Sequence, residues 1–271
     1  MPSPRGTLKK TCLSSHGALL YWRDRPMNDT RQQHWESVYA TKAPDEVSWF
    51  QPVPAQSLRL IEATGIGRDE PVLDAGGGAS SLVDRLLERG FTDITVLDIS
   101  AAALAASRSR LGENADRVNW IRADVTEFVA PRQFALWHDR AVFHFLTSAA
   151  DRRRYVDAVR AAVRRDGHLV LSTFGPEGPL RCSGLEIRRY GVDSLREIFG
   201  EDFTLQQHML DDHQTPGGAV MLAARHGAVL ARDSHFEAGF GNAPGTGSFF
   251  HVRGPFLVLS LIHISEPTRR H

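Results

Sequence analysis

A chain of 271 residues with 42% hydrophobic and 24% charged side chains has the make-up of one large α/β domain, or one medium domain with appendages, that buries a real core. Lys plus Arg equals Asp plus Glu at 32 each, so the net charge is zero and nothing in the balance indicates a nucleic-acid partner or an anionic membrane surface. Two distant cysteines, Cys12 and Cys182, offer no disulfide framework, and the longest apolar run, 256–264, is too short to span a bilayer, so the chain reads as cytoplasmic.

Residues 1–26 are turn-rich, without sustained periodicity or a signal-peptide core, and read as an upstream extension before Met27. The pattern predicts a helix from about Arg31 to Thr41. Pro71 to Asp74 is a short apolar run closed by an acid and followed by glycines. Ser80 or Ser81 then caps a helix with Leu82, Val83, Leu86 and Leu87 on one face and Gly90 at its end. Ile94 to Leu97 is a second strand closed by Asp98, and Ser100 caps an alanine-rich helix reaching about Leu111. Val118 to Ile121 is a third strand, followed by Asp124, and Phe134 to Trp137 is a fourth, ending in His138-Asp139. A helix over about 150–164 turns Val156, Val159 and Val163 to one side, so the arginines at 152–154 and 164–165 read as its solvated face. His168 to Phe174 is the fifth strand, Asp193 to Phe199 a short helix, and Phe203 to Met209 the sixth strand. Strands alternating with helices of this length predict the α/β class, a parallel sheet covered on both faces. The coherent domain is expected over 27–220. Residues 221–258, rich in Gly, Ala and His, lose the rhythm and read as out of frame or foreign, and 259–271 as the translation of a sequencing adaptor.

In an open parallel sheet, ligands bind beyond the carboxyl ends of the strands. The first strand ends Asp74-Ala75-Gly76-Gly77-Gly78, and consecutive glycines let the backbone turn tightly and approach a ligand closely. A dinucleotide-binding loop uses the same device, but its third glycine would fall at Ser81. Charge separates the two readings. A dinucleotide brings a pyrophosphate, which a carboxylate at Asp74 would repel. S-adenosylmethionine brings an ammonium and a sulfonium, both cationic, and suits Asp74 better. Asp98, closing the neighbouring strand, can accept both ribose hydroxyls, each bond to a charged group contributing about 1.5–3 kcal/mol. Asp124, after the third strand, can accept from the adenine amine while Val125 donates or packs against the ring. Each acid alone is often a plain loop residue; three closing successive strands beside a glycine turn form a more specific constellation.

The runs Val72 to Gly78, Val96-Leu97-Asp98-Ile99-Ser100 and Arg122-Ala123-Asp124-Val125 resemble the successive motifs of the seven-strand class I methyltransferases. His34 to Tyr39 and Ser48-Trp49-Phe50-Gln51 resemble the leading helix and lid of a subgroup similar to thiopurine and protein-lysine methyltransferases. The resemblance spans roughly Met27 to Val220. It implies a Rossmann-like three-layer sandwich, a mostly parallel twisted sheet with helices on both faces and an antiparallel final strand. It also implies S-adenosyl-L-methionine as cofactor, held by Trp49, Phe50, Asp74, Ala75, Gly76, Gly77, Gly78, Asp98, Ile99, Asp124 and Val125.

Methyl transfer from a sulfonium is an in-line displacement in which proximity and alignment do most of the work, so a general base is optional. His138 or His144, at the fourth strand's end, can take a proton from an acceptor, and Asp139 can orient it; equally, both histidines can be packing residues. Trp49 and Phe50 read as lid contacts and Trp35 as packing. The twelve histidines show no helical ligand pair supported by a carboxylate, so no metal is expected. The acceptor is a small-molecule thiol or amine, or a protein lysine, and the chain is expected to be a monomer or weak dimer. The alternatives are a non-catalytic S-adenosylmethionine-binding protein and an NAD-linked oxidoreductase; the latter needs a complete glycine fingerprint and a second catalytic domain, neither visible. Asp98→Ala is expected to weaken S-adenosylmethionine binding by at least about tenfold without unfolding the protein, as read by calorimetric titration; unchanged affinity removes Asp98 from the site.

Overall fold

The computed structural model describes residues 29–200, 202–214 and 220–232. Two helices, α1 (Asp29–Thr41) and α2 (Ala55–Ala63), precede an alternating series: β1 (Val72–Ala75), α3 (Leu82–Glu88), β2 (Ile94–Asp98), α4 (Ala101–Leu111), β3 (Val118–Arg122), β4 (Phe134–Arg140), α5 (Ala149–Ala162) and β5 (Val163–Phe174). Helix α6 (Val192–Phe199) and strands β6 (Phe203–Gln214) and β7 (Val220–Arg232) complete the fold. The strands form one seven-stranded sheet in the order β3-β2-β1-β4-β5-β7-β6. The first five run parallel, and β7 is antiparallel to both β5 and β6.

Every residue of β1 and β2 is buried, as expected of central parallel strands covered on both faces. Alternation along each strand feeds two cores. Val72, Leu136 and Val170 face one, with Leu86 of α3 and Ile61 of α2. Leu73, Trp137 and Leu171 face the other, with Tyr155 and Val159 of α5. Ser100 caps α4 as the sequence predicts, its hydroxyl accepting the Ala103 N–H at 3.1 Å. At α3 the two serines divide the work: Ser80 Oγ accepts the Leu82 N–H at 3.2 Å, while Ser81 Oγ donates to the Gln51 carbonyl at 2.8 Å.

Three features depart from the sequence reading. Helix α2 lies in a segment without a predicted element; its nine residues bury Ser57, Leu58, Leu60 and Ile61, too short a stripe to stand out as a period. Strand β5 begins at Val163, where the pattern places a helix end and a turn at Asp166-Gly167. The register shifts between Phe134 and Leu136, and Asp166 takes φ of 60°, so the turn is a bulge within the strand. The third concerns the boundary at 220. Strand β7 occupies 220–232, inside the stretch expected to lose its rhythm, because ladders on both edges, to β5 and β6, supply what the alanine-rich pattern lacks. The expectations for 1–26, 233–258 and 259–271 concern residues outside those described.

With β7 absent, β5 would become an open, buried-type edge. A chain ending at residue 219 is therefore expected to be insoluble or to melt about 10 °C or more below the full chain, measured by circular dichroism; an unchanged melt would make β7 dispensable.

Candidate active site

The carboxyl ends of β1 to β4 open onto a single cavity, roofed by α1 and the loop that follows it. At the end of β1 the chain turns through Gly76, with φ of +70°, and a Cβ there would lie 2.0 Å from Val142 Cγ2. At Gly78 a Cβ would lie 2.4 Å from Asp98 Oδ2. A side chain at either position would push the turn and the strand-end acids apart. Gly76 and Gly77 line the cavity; Ala75 belongs to the hydrophobic core and Gly78 lies behind Asp98, so neither forms part of the wall.

Asp74, Asp98, Ile99, Asp124 and Val125 all reach the wall, as do Trp49 and Phe50. Asp74 is buried: Oδ1 bonds to His138 Nδ1 at 2.7 Å, and Oδ2 has no hydrogen-bond partner among the described residues. Asp98 accepts the Ser100 N–H at 2.8 Å, yet burial, reinforced by the charges of Asp74 and Glu36, pushes its carboxyl up to about 7. Asp124 is bonded through both oxygens: Oδ1 accepts from the Thr126 N–H and hydroxyl at 2.8 and 2.7 Å, and Oδ2 pairs with Arg31 at 2.9 Å.

Sequence reasoning missed how α1 is tied down. Arg31 bridges Asp124 and Asp151, the latter at 2.8 Å. Glu36 lies across the start of α4, accepting the Ala101 and Ala102 N–H groups at 2.8 and 3.1 Å and the Ser100 hydroxyl at 2.9 Å. A carboxylate there satisfies orphan helix donors and the positive end of the dipole. No local signal marks Glu36, because its partners lie more than sixty residues away in the chain. Trp35, read as packing, stands on the cavity wall, edge-on to Trp49 at 5.8 Å and to Phe145 at 4.9 Å. Arg140, at the end of β4, bonds to Gln51 Oε1 at 2.7 Å, and burial lowers its pKa.

The expected proton-transfer residues are placed differently. His138 reaches the wall, but both ring nitrogens are bonded inside the protein, Nε2 lying 2.9 Å from Ser57 Oγ. Asp139 points the other way, as strand alternation requires, accepting from the Val142 and Phe143 N–H groups at 2.8 and 3.1 Å and from the Tyr155 hydroxyl at 2.6 Å. Burial holds its carboxyl up to about 6, and it anchors the 3-10 turn Phe143–Phe145. His144, within that turn, is buried with its ring against Phe145 and Phe174 at 4.3 and 4.8 Å between centroids. Asp139 and His144, expected beside the acceptor, do not line the cavity.

Residues 73–169 match the family described as a methyltransferase domain. Over 219 residues the chain is 23% identical to EEF1A lysine methyltransferase 2 of Danio rerio, covering 69% of this chain and 88% of that protein. A SAM-dependent methyltransferase of Anabaena variabilis shares the fold with a TM-score of 0.59 at 16% identity, over 75% of this chain and 94% of that one. The glycopeptide N-methyltransferase MtfA complexed with S-adenosyl-L-methionine shares it with a TM-score of 0.53 at 18% identity, over 71% and 99%. Sheet order, glycine turn and strand-end acids define the class I methyltransferase fold. The chain thus carries a match to a methyltransferase domain over residues 73–169, set on the class I methyltransferase fold. The residues present fit S-adenosylmethionine: a buried, half-bonded carboxylate faces the cavity at Asp74, beside a turn too tight for side chains.

A carboxyl whose pKa is raised in the folded state favours folding while protonated and withdraws that stability as pH rises through its folded value. The ligand-free protein should therefore lose stability at Asp98 up to about pH 7, and Asp98→Asn should remove this loss. The wild type is expected to melt lower than the variant by a margin that widens from about pH 5 to pH 8, because the loss accumulates between the ordinary carboxyl value and about 7. Equal melts at both would place no buried charge at Asp98.

Proposed function

We propose that the chain methylates a small acceptor bearing an amine or thiol that arrives already nucleophilic, with no open histidine nitrogen on the cavity wall among the described residues to activate it. Asp74 Oδ2 is the group for the cofactor's ammonium, Asp98 for its ribose hydroxyls, and Ile99 and Val125 flank the adenine, with Asp124 at its edge. The sulfonium supplies an electrophilic methyl group and departs as a neutral thioether. What the protein adds is alignment and exclusion of water, worth up to about 7–11 kcal/mol in favourable systems. Trp35, Tyr39 and Trp49 close the roof, and Phe145, Phe174 and Cys182 line the same cavity. Ala141, at the mouth of β4, takes φ of 85°, a strained value of the kind that accumulates where a loop is held for function.

The carrying observation is the internal bonding of His138, which leaves no histidine on the wall with an open nitrogen among the described residues. The aromatic lining of the cavity favours a small molecule. A lysine-bearing protein is the second reading, favoured by the likeness to a lysine methyltransferase. The reading includes a cytoplasmic protein, monomeric or weakly dimeric; among the described residues no helix is long and apolar enough to cross a membrane.

The test is methyl transfer from S-adenosylmethionine to small thiols, small amines and a lysine peptide across pH. kcat/KM is expected to rise with pH in step with each acceptor's own pKa, and small molecules to outperform the peptide. A break at one common pH for every acceptor would put a base in the protein.

A further inference from the structure

Ser57, His138 and Asp74 form a hydrogen-bonded line that runs from α2, through β4, to the end of β1, and all three are at least 98% buried. Asp74 and His138 are paired neighbours on adjacent parallel strands, so their side chains emerge on the same face of the sheet. An ionised carboxylate only accepts, so His138 Nδ1–H donates to Asp74 Oδ1 at 2.7 Å. The other ring nitrogen, Nε2, lies 2.9 Å from the Ser57 hydroxyl, which can donate or accept as the tautomer requires. The line ends on Asp74 and leaves Oδ2 as that carboxylate's one unbonded oxygen. A Cβ at Gly77 would lie 2.4 Å from Oδ2, so that oxygen is held against the glycine turn.

We propose that Ser57 and His138 are positioning residues: they hold Asp74 with Oδ2 presented to the cationic amino-acid end of the cofactor. The inference rests on the reading of Asp74 as the ammonium's partner. It gives a buried histidine and a serine from a helix outside every glycine or acid motif a share in recognising that end. His138 occupies one oxygen of the carboxylate and leaves the other for the ligand. Arg140, on the same wall, forms no ion pair with Asp74; its guanidinium is bonded to Gln51 and, at 3.4 Å, to the Trp49 carbonyl. The orphaned oxygen has a cost in the ligand-free protein, since buried acceptors without partners are disfavoured, and a bound ammonium would remove it.

Two probes separate positioning from simple structural support. S-adenosylhomocysteine carries the amino-acid end; 5′-methylthioadenosine has the same nucleoside and lacks it. In calorimetric titrations, His138→Leu is expected to bind S-adenosylhomocysteine at least about tenfold more weakly while 5′-methylthioadenosine stays within about twofold. His138→Asn, which retains a donor near Nδ1, is expected to recover most of the loss, and Ser57→Ala to weaken S-adenosylhomocysteine alone by about threefold. Should the leucine variant fail to fold, the asparagine and serine variants carry the comparison. Equal loss of both ligands, or no loss of either, overturns the proposal. Asp74→Asn decides the underlying reading separately: if it binds S-adenosylhomocysteine like the wild type, Asp74 is not the ammonium's partner. If it loses that affinity while the His138 and Ser57 variants keep it, only the positioning role falls.

Discussion

The constraint on which the rest of the site depends is the burial of acids at one end of a parallel sheet. Asp74, Asp98 and Asp124 close three neighbouring strands, each less than a tenth exposed, and Glu36 joins them from α1. Carboxylates this close and this dry repel one another and resist ionisation, as the raised pKa of Asp98 records. Each is accommodated by a different device. Asp124 takes Arg31, Glu36 takes the first amides of α4, Asp98 takes the Ser100 N–H, and Asp74 takes a histidine through one oxygen only. The negative potential that remains is what a sulfonium-bearing ligand with a free ammonium would complement.

The same devices close the cavity. Because Arg31 and Glu36 both lie on α1, pairing with the strand-end acids and the α4 amides brings that helix over the glycine turn. Its aromatic residues Trp35 and Tyr39 then meet Trp49 from the following loop. Roof and floor are thereby coupled through polar contacts and through the ring contact of Trp35 with Phe145. Such contacts are the sort that can open without unfolding the sheet, since neither hydrophobic cluster includes a residue of α1.

Where the chain punctuates itself locally, the fold was legible. Apolar runs closed by Asp74 and Asp98, the cap at Ser100, and the glycine at the end of α3 each act within a few residues, and the strands and helices around them lie as expected. Helix α2 and strand β7 were not legible. One has too few residues to show a period, and the other owes its conformation to two neighbouring strands rather than to its own alanine-rich composition.

The site divides in the same way. Sequence by itself determined which residues stand at the strand ends, because a glycine turn and a terminal acid are properties of a few adjacent residues. It could not determine where the side chains of β4 point or what they meet. His138 and Asp139 are neighbours in the chain, yet pleating sends one to Asp74 and Ser57 and the other to Tyr155 and the backbone of the next turn. Only the tertiary structure decided that the histidine is an internal link, that Asp139 and His144 stand off the cavity, and that Glu36 and Arg31 hold the roof. The physical reason for His138, Arg31 and Glu36 is a partner dozens of residues distant, brought within hydrogen-bond reach by the packing of strands and helices; for Asp139, whose partners are nearer in the chain, it is the pleat that turns the side chain from the cavity.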